Sequence, residues 1–486
     1  MKVLLVYPVP PRTHWPRGNF RAHWIPTGLA YISSALRQAG HEVRVLHREE
    51  QLAANGFDWQ FCDTQLRSLL KHFSPDMVGI SVVTPMMIEA EVISRWAKEI
   101  CGQRVIVVVG GPHPTALPEK TLLECPYIDV VVIGEGERTM VELADTGPDK
   151  QVAGLVFRQN GQLVHTSARP LEKDLDSLAV PDYSQFNMDF HLQVNPWLVR
   201  WIPRAGMNIH TSRGCTNCCG FCAAHVISGM GVRFHSIGYV LERLLEAVRF
   251  GAKLILFGDD SLAANGERLL ELCEAMCSHG LHRHIKWQCC MRVDQVSPEV
   301  LTAVKSAGCI QIEFGFESGS DTVLQRIDKN TSVHLNRRAV RLTRQAGIRI
   351  YANIMIGLPG ETEEDLRKSL DFIRWAKPDV LSAACPLPLP GTALYNNLPE
   401  QVRNSLKWSD YTYADTSPGG INLTAMSEEA FEDYRLKFFK YFVRPTMNLQ
   451  MLRDMSKDPT SERRMLRRKI IRFALQHPLR TVRLPC

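Results

Sequence analysis

The sequence predicts an α/β protein built from two parallel units. The first is a doubly wound, Rossmann-like sheet over residues 1–148, and the second a partial (β/α)6 barrel over 201–395. Residues 149–200 connect them, and 396–486 form a mostly helical region with a basic tail. Three observations point to this fold. Short, continuously apolar runs alternate with amphipathic stretches from the first residues onward, as in parallel strands covered on both faces by helical crossovers. The alternation resumes near residue 205 and runs six times. A close trio of cysteines follows the first strand of that second series, at the strand end where such barrels place their chemistry.

A chain of 486 residues, 45% apolar and 22% charged, has room for two or three domains of ordinary globular composition. Its longest apolar runs, VIVVV (105–109) and VVVI (130–133), are far short of a membrane span. The 14 cysteines are scattered and follow no secretory signal, so reduced thiols and a cytoplasmic setting are expected.

In the first unit, KVLLVYP (2–8), EVRVLH (42–47), DMVGISV (76–82), VIVVVGG (105–111) and DVVVIGE (129–135) read as strands. Residues 27–40, 61–72 and 87–100 have helical spacing. Ligands of such sheets bind beyond the carboxyl ends of the strands. Those ends carry Tyr7 and Pro8, Ser81 to Thr84, Gly110, Gly111 and His113, and Gly134, Glu135 and Gly136. The glycines let backbone approach a large flat ligand closely. A receiver domain would need acids at the end of the first strand, where Tyr-Pro stands. A flavin site would want a Ser/Thr-rich phosphate loop there, and PVPPRTHW (8–15) is a poor one. A corrinoid is the third possible occupant. In the connector, GLVFRQNGQLVHT (154–166) centres on Asn160-Gly161, a two-residue hairpin signal.

In the second unit, strands fall near 207–212, 253–257, 285–291, 309–316, 349–356 and 380–386. Helices fall near 236–250, 265–279, 297–307, 331–346 and 361–376. Ser297-Pro298-Glu299 and Glu361-Thr362-Glu363-Glu364 have the cap residue, early proline or first-turn acids of helix starts. The loop TSRGCTNCCGFC (211–222) presents Cys215, Cys219 and Cys222 as C-x3-C-x2-C. Iron–sulfur clusters usually take four cysteines, so three imply a four-iron cubane with one open iron. Counting Cys218 gives C-x2-C-C-x2-C, which also reads as a zinc knot, although such sites draw ligand pairs from separated segments.

The cysteine spacing resembles the signature of radical S-adenosylmethionine (SAM) enzymes, in which SAM fills the open iron site. W-x-P-x-GLAY (24–31), GGPHPT (110–115) and GEGE (134–137) together resemble the cobalamin-binding domain that precedes many radical SAM domains. Both units thus resemble the cobalamin-dependent radical SAM family over roughly residues 1–400. The Asp-x-His-x-x-Gly motif that ligates cobalt elsewhere is missing from residues 1–150, as it commonly is in that family. The resemblance implies three cofactors: a [4Fe-4S] cluster, SAM and cobalamin. Gly258, Asp259 and Asp260 stand where the family's Gly-Gly-Glu binds the SAM amino group, with Asp for Glu. Arg292 is expected to pair with the SAM carboxylate. Glu317 and Ser318 resemble residues holding ribose and methionine polar groups; Asn353, Gly357 and Leu358 lie in a stretch resembling the adenine wall; Phe221 suits adenine stacking. The implied reaction is methyl transfer from SAM, through methylcobalamin, to an unactivated carbon. A radical oxidoreductase or cyclase of the porphyrin-ring-cyclase kind is the alternative. A methylthiotransferase would use Cys62, Cys101 and Cys125 for a second cluster, but none of these ends a strand. A cobalamin sensor would have no use for an open cluster.

Partners follow in outline. A small-molecule substrate, bulky or hydrophobic, and an electron donor such as flavodoxin or ferredoxin are expected, and no nucleic acid. The net charge is +6, yet residues 461–486 carry eight Lys or Arg against Glu462, a net of +7, which leaves −1 for the rest. That tail reads either as a solvated helix or as a peripheral membrane contact. Apolar spacing at Phe431, Tyr434, Phe438, Phe439, Tyr441 and Phe442 predicts a helix packed on the barrel.

Overall fold

The computed structural model describes residues 1–10, 23–195, 198–200, 202–411 and 422–446, with side chains to Phe438. The first sheet has strands β1 (Lys2–Tyr7), β2 (Glu42–His47), β3 (Met77–Ser81), β4 (Ile106–Gly110), β5 (Val130–Val132), β6 (Leu155–Gln159) and β7 (Gln162–His165). Their order is β2-β1-β3-β4-β5-β6-β7. The first five run parallel, so the order reverses beside β1, the crevice where such sheets bind ligands.

Side chains of β1 alternate between two cores. Val3 and Leu5 pack with Leu29, Leu36, Met140 and Leu143 from helices Thr27–Gln38 and Glu137–Thr146. Leu4 and Val6 pack with Leu66, Leu70, Ala90 and Ile93 from helices Trp59–Phe73 and Met87–Cys101 on the other face. The hairpin expected inside the connector forms, but as part of this sheet: β6 pairs antiparallel with β5, Val130 opposite Phe157. Asn160 (φ 51°) and Gly161 (φ 77°) both take the left-handed conformation its turn needs.

The second sheet consists of β8 (Gly206–Ile209), β11 (Leu254–Phe257), β12 (Lys286–Met291), β13 (Cys309–Glu317), β14 (Arg349–Met355) and β15 (Val380–Ala384). All are parallel and lie in chain order, the open six-stranded barrel expected. Between β8 and β11, the short strands β9 (Ser212–Arg213) and β10 (Arg233–Phe234) pair antiparallel. Helix Glu428–Thr446 packs on the edge strand β15 and buries Phe431, Tyr434 and Phe438; Phe439, Tyr441 and Phe442 have no described side chains, and the basic tail 461–486 lies outside the described residues. No helix among the described residues is long and apolar enough to cross a membrane.

One buried side chain fastens the barrel to the first unit, and another packs inside the barrel itself. Asn208 on β8 accepts from the Ile25 N–H (3.0 Å) and donates to the Ile25 carbonyl (3.1 Å), fixing the entry to helix Thr27–Gln38. Trp287 on β12 is 1% exposed, meets Phe257 edge-on at 5.2 Å, and donates its indole N–H to the Ala307 carbonyl. Trp287→Ala removes this packing and orphans a buried carbonyl. It is expected to cost about 3–5 kcal/mol, read as a lower midpoint in urea unfolding followed by circular dichroism.

Candidate functional site

The carboxyl ends of the two sheets face each other across a cavity of about 310 Å³. Its floor is apolar: Leu5, Ile80, Val108, Val132 and Met140. Its rim holds Ser81, Gly110, Gly111, Gly134, Glu135 and Gly136 from the first sheet, and His210, Arg213, Ser228 and His235 from the second. Side chains at Gly28 and Gly134 would meet nothing within 4 Å, so both glycines hold open space. Gly111 has another reason: at φ 108° its Cβ would lie 2.6 Å from the Val82 carbonyl oxygen.

Charge lines the same rim. Glu135 accepts from Arg213 (2.9 Å) and Arg233 (2.8 and 3.0 Å), and Glu137 accepts from Arg213 (2.7 Å). Burial pushes the Glu135 carboxyl up, but the two guanidiniums outweigh it and hold it below the usual carboxylate range. Arg213 also lies over the Tyr31 ring at 5.0 Å.

Arg213 is the last residue of β9, directly before the cysteine loop. That loop is pinched at its base by the β9–β10 ladder and by Gly214 (φ 98°), whose Cβ would strike the Gly231 carbonyl oxygen at 2.3 Å. Its far side is pinned at Gly220, which donates to the Ile327 carbonyl and accepts from the Leu394 N–H. Cys219 is 8% exposed, Cys215 and Cys222 are half-buried, and all three are free thiols. Burial pushes the Cys219 and Cys222 thiols up, with Lys329 and Arg292 opposing this at Cys219. A bound cation, such as the irons of a cluster, would favour the thiolates here. Cys218 is exposed, its thiol 3.5 Å from the Met230 sulfur, and takes no part in the trio.

Asp259 does not reach toward an open ligand position as its motif implied. It is 2% exposed and accepts from the Thr211 N–H (3.1 Å), the Thr211 hydroxyl (2.9 Å) and the Ser212 hydroxyl. It thereby fastens the approach to the cysteine loop. Asp260 is exposed beside it, and Gly258 is required because a Cβ there would lie 2.5 Å from His210 Cε1.

At the later strand ends, Phe221 packs with Met355, Leu358, Val323 and Ile327, so the expected aromatic and the expected adenine wall meet. Lys329 lies 5.8 Å over the Phe221 ring and pairs with Glu317 at 2.8 Å. Burial disfavours the ammonium, but Glu317 outweighs it and raises Lys329. Glu317 has φ 59°, strained for a non-glycine residue and characteristic of functional sites. Ser318 is fully buried, with its hydroxyl 3.1 Å from that of Ser369. Arg292 is engaged by Asp294 and by the Lys329 and Asn330 carbonyls. Asn353 donates to Glu313, which also accepts from Gln288, a polar chain across the barrel that the sequence did not flag. Gly357 faces Phe431, whose Cζ would be 2.7 Å from an added Cβ.

Four expected cavity residues lie elsewhere. Tyr7 stands edge-on to His47 at 5.3 Å, and Pro8 is buried outside the lining. Thr84 and His113 bond to each other (3.2 Å) below the rim, with His113 1% exposed and against Trp408. Burial pushes the His113 pKa down to about 3. Conversely, His210, Arg213 and His235 were missed, because a residue that lines a cavity from the opposite domain leaves no local pattern.

The geometry and the comparisons agree. Residues 16–144 match the B12 binding domain family and residues 209–373 the radical SAM superfamily. An uncharacterized methyltransferase of Pyrococcus horikoshii is 32% identical, over 92% of this chain and 93% of its own length. An anaerobic magnesium-protoporphyrin IX monomethyl ester cyclase of Cereibacter sphaeroides is 28% identical, over 90% of this chain and 71% of its own. The fold resembles the radical SAM methyltransferase TsrM from Kitasatospora setae with cobalamin and a [4Fe-4S] cluster bound, at TM-score 0.65 and 20% identity, covering 90% of this chain and 81% of that one. The chain belongs to the cobalamin-dependent radical SAM enzymes. Within them it is of the methyltransferase kind, with the [4Fe-4S] cluster, SAM and cobalamin as its cofactors.

Two substitutions test the local geometry. Asp259→Ala orphans the buried Thr211 N–H, at about 1–3 kcal/mol, and should lower iron per chain after anaerobic reconstitution, whereas Asp260→Asn should not. Glu361 is fully buried; one carboxylate oxygen accepts from the Gly357 and Leu358 N–H groups and the other has no partner. Burial pushes its pKa up to about 7. A carboxyl raised on folding stabilises the fold while protonated, and that contribution is lost as pH rises through the folded value. Stability of the wild type should therefore fall as pH is raised through about 7, and Glu361→Gln should flatten this part of the profile.

Proposed function

We propose that the protein is a C-methyltransferase that moves the methyl group of SAM to an unactivated carbon of a small-molecule substrate, bulky or hydrophobic in character. One observation carries this reading: Arg213 both begins the cysteine loop and lines the cavity of the first sheet. The source of the radical and the carrier of the methyl group would then share one wall.

The residues fit the three groups. The open glycine positions 28 and 134 and the apolar floor would accept a flat, largely apolar part of cobalamin. Cys215, Cys219 and Cys222 would hold the cluster, and Phe221, Leu358 and the Glu317–Lys329 pair would form the SAM wall. When bound, these cofactors supply a one-electron cleavage of SAM and a transferable methyl group. The protein binds and orients them, and its closely packed strand ends exclude water from the reacting carbon. An electron donor of the flavodoxin or ferredoxin type would serve the cluster.

A cyclase is the second reading, favoured by the Cereibacter sphaeroides relative. Anaerobic, reconstituted protein given cobalamin, reductant and methyl-deuterated SAM separates the two. Methyl transfer predicts both 5′-deoxyadenosine and S-adenosylhomocysteine, with deuterium carried into the product. Cyclisation predicts deoxyadenosine without S-adenosylhomocysteine. Cys219→Ala should abolish the cluster absorbance and deoxyadenosine formation, and Cys218→Ala should leave both intact.

A further inference from the structure

A second cluster of ligand-forming side chains lies outside the cofactor site, at the carboxyl end of the edge strand β2. We infer that His47, Glu50 and His191 form a binding site for a divalent transition-metal ion of the zinc type, clasping the first sheet to the segment that leads into the barrel. One donor atom from each residue lies within 4.8 Å of the others. Both imidazoles are buried, at 3% and 2% exposure.

The convergence of two buried imidazoles on one carboxylate carries the argument. The Nδ1 of His191 lies 3.0 Å from the His23 carbonyl oxygen, an acceptor, so Nδ1 holds the hydrogen. Its Nε2 lies 2.6 Å from Glu50 Oε1. A proton or a metal ion bridges a ring nitrogen and a carboxylate oxygen at that distance, and the second buried imidazole aimed at the same oxygen points to the metal. A backbone carbonyl taking the N–H of a histidine whose other nitrogen faces a carboxylate is the outer-shell arrangement that orients metal-bound histidines.

His47 supplies the third donor. Its Nδ1 lies 3.3 Å from the same Glu50 oxygen, and its ring is parallel to that of His191 (1°, centroids 5.4 Å apart). Its Nε2 is buried with no hydrogen-bond partner. Glu50 Oε2 is oriented by the Asn187 N–H at 3.2 Å. Two imidazoles and one carboxylate form a donor set zinc takes with a fourth position left to water or a further ligand. Ligands around such an ion sit about 3–3.5 Å apart given zinc–ligand bonds of about 2.0–2.2 Å. Binding would widen the 2.6 Å His191–Glu50 separation and keep the 3.3 Å His47–Glu50 one.

The placement suggests a structural role. His47 and Glu50 flank the β2–helix junction, while His191 ends helix Met188–His191, and the His23 carbonyl it holds belongs to the strand of chain entering helix Thr27–Gln38. That helix begins at Thr27 and Gly28, which line the cobalamin-side cavity. A metal here would fix the cavity wall from behind without touching the reaction.

The test uses full-length, cluster-loaded protein dialysed against zinc and then against metal-free buffer. About one zinc per chain should remain by mass spectrometry, alongside unchanged cluster iron, as three buried protein ligands imply. His191→Ala and Glu50→Gln should each weaken zinc retention by at least about tenfold. A cobalt(II) titration of cluster-loaded, cobalamin-free protein should give d–d bands without thiolate charge-transfer absorption, which separates this site from the cysteines even if a variant misfolds. No retained zinc and no such bands in the wild type would overturn the inference and leave a protonated His191–Glu50 pair. So would zinc retained equally by both variants.

Discussion

Four charged side chains hold the carboxyl edges of the two sheets in register. Glu135 and Glu137 come from the loop after β5 and the helix it opens; Arg213 and Arg233 come from the two strands that pinch the cysteine loop. A largely buried lattice of this kind is not a strong net stabiliser, because desolvating the ions offsets most of their attraction. Its force lies in what its disruption costs: a single unpaired buried charge is worth about 3–5 kcal/mol. The planar guanidinium of Arg213 divides its donors between two carboxylates, a geometry that lysine would not reproduce. The cavity and the cysteine loop are therefore positioned by the same atoms.

From that lattice the rest of the site is held by short links. The loop is anchored at its entrance by Asp259, at its middle by Gly220, and at its exit by β10. Arg268 adds bonds to the Thr211 and His235 carbonyls, tying the entrance to the exit. Reactions that pass a short-lived radical between groups depend on fixed separations, since small misplacements are costly. A loop tied at three points to its own barrel, and beside them to the first unit through Arg213, meets that requirement better than a free surface loop would.

Most of the fold was legible in the sequence because its signal is local. The parallel strands of both sheets announce themselves as apolar runs, and Asn160-Gly161 announces its turn. The hairpin's destination was not legible: whether β6 adds to β5 depends on a sheet edge some twenty-five residues earlier in the chain. The site divides in the same way. Gly110, Gly111 and Gly134 to Gly136 were readable because strand ends and glycines coincide there. Thr84 and His113 share those strand ends yet turn toward Trp408 and each other, a choice made by side-chain packing. Asp259 was readable as important but not for its role, because its partners Thr211 and Ser212 lie on a neighbouring strand end. His47 and Glu50 lie far from His191 in the chain, and no spacing links them.

The C-terminal region acts on the site through one contact. Phe431 lies against Gly357 so closely that a Cβ there would be 2.7 Å from the ring. The same loop donates the Gly360 N–H to the Leu423 carbonyl, and Glu361 accepts from Ala425 through its backbone. Glu361 in turn holds the Gly357 and Leu358 N–H groups, and Leu358 packs in the cluster that includes Phe221. The chain of contacts therefore runs from the C-terminal helix, through a buried carboxyl, to the aromatic ring between Cys219 and Cys222. A glycine at 357 serves two neighbours at once, the helix outside and the loop inside. Changes in the C-terminal segment would be felt at the cofactor wall through packing alone, without any new residue entering the site.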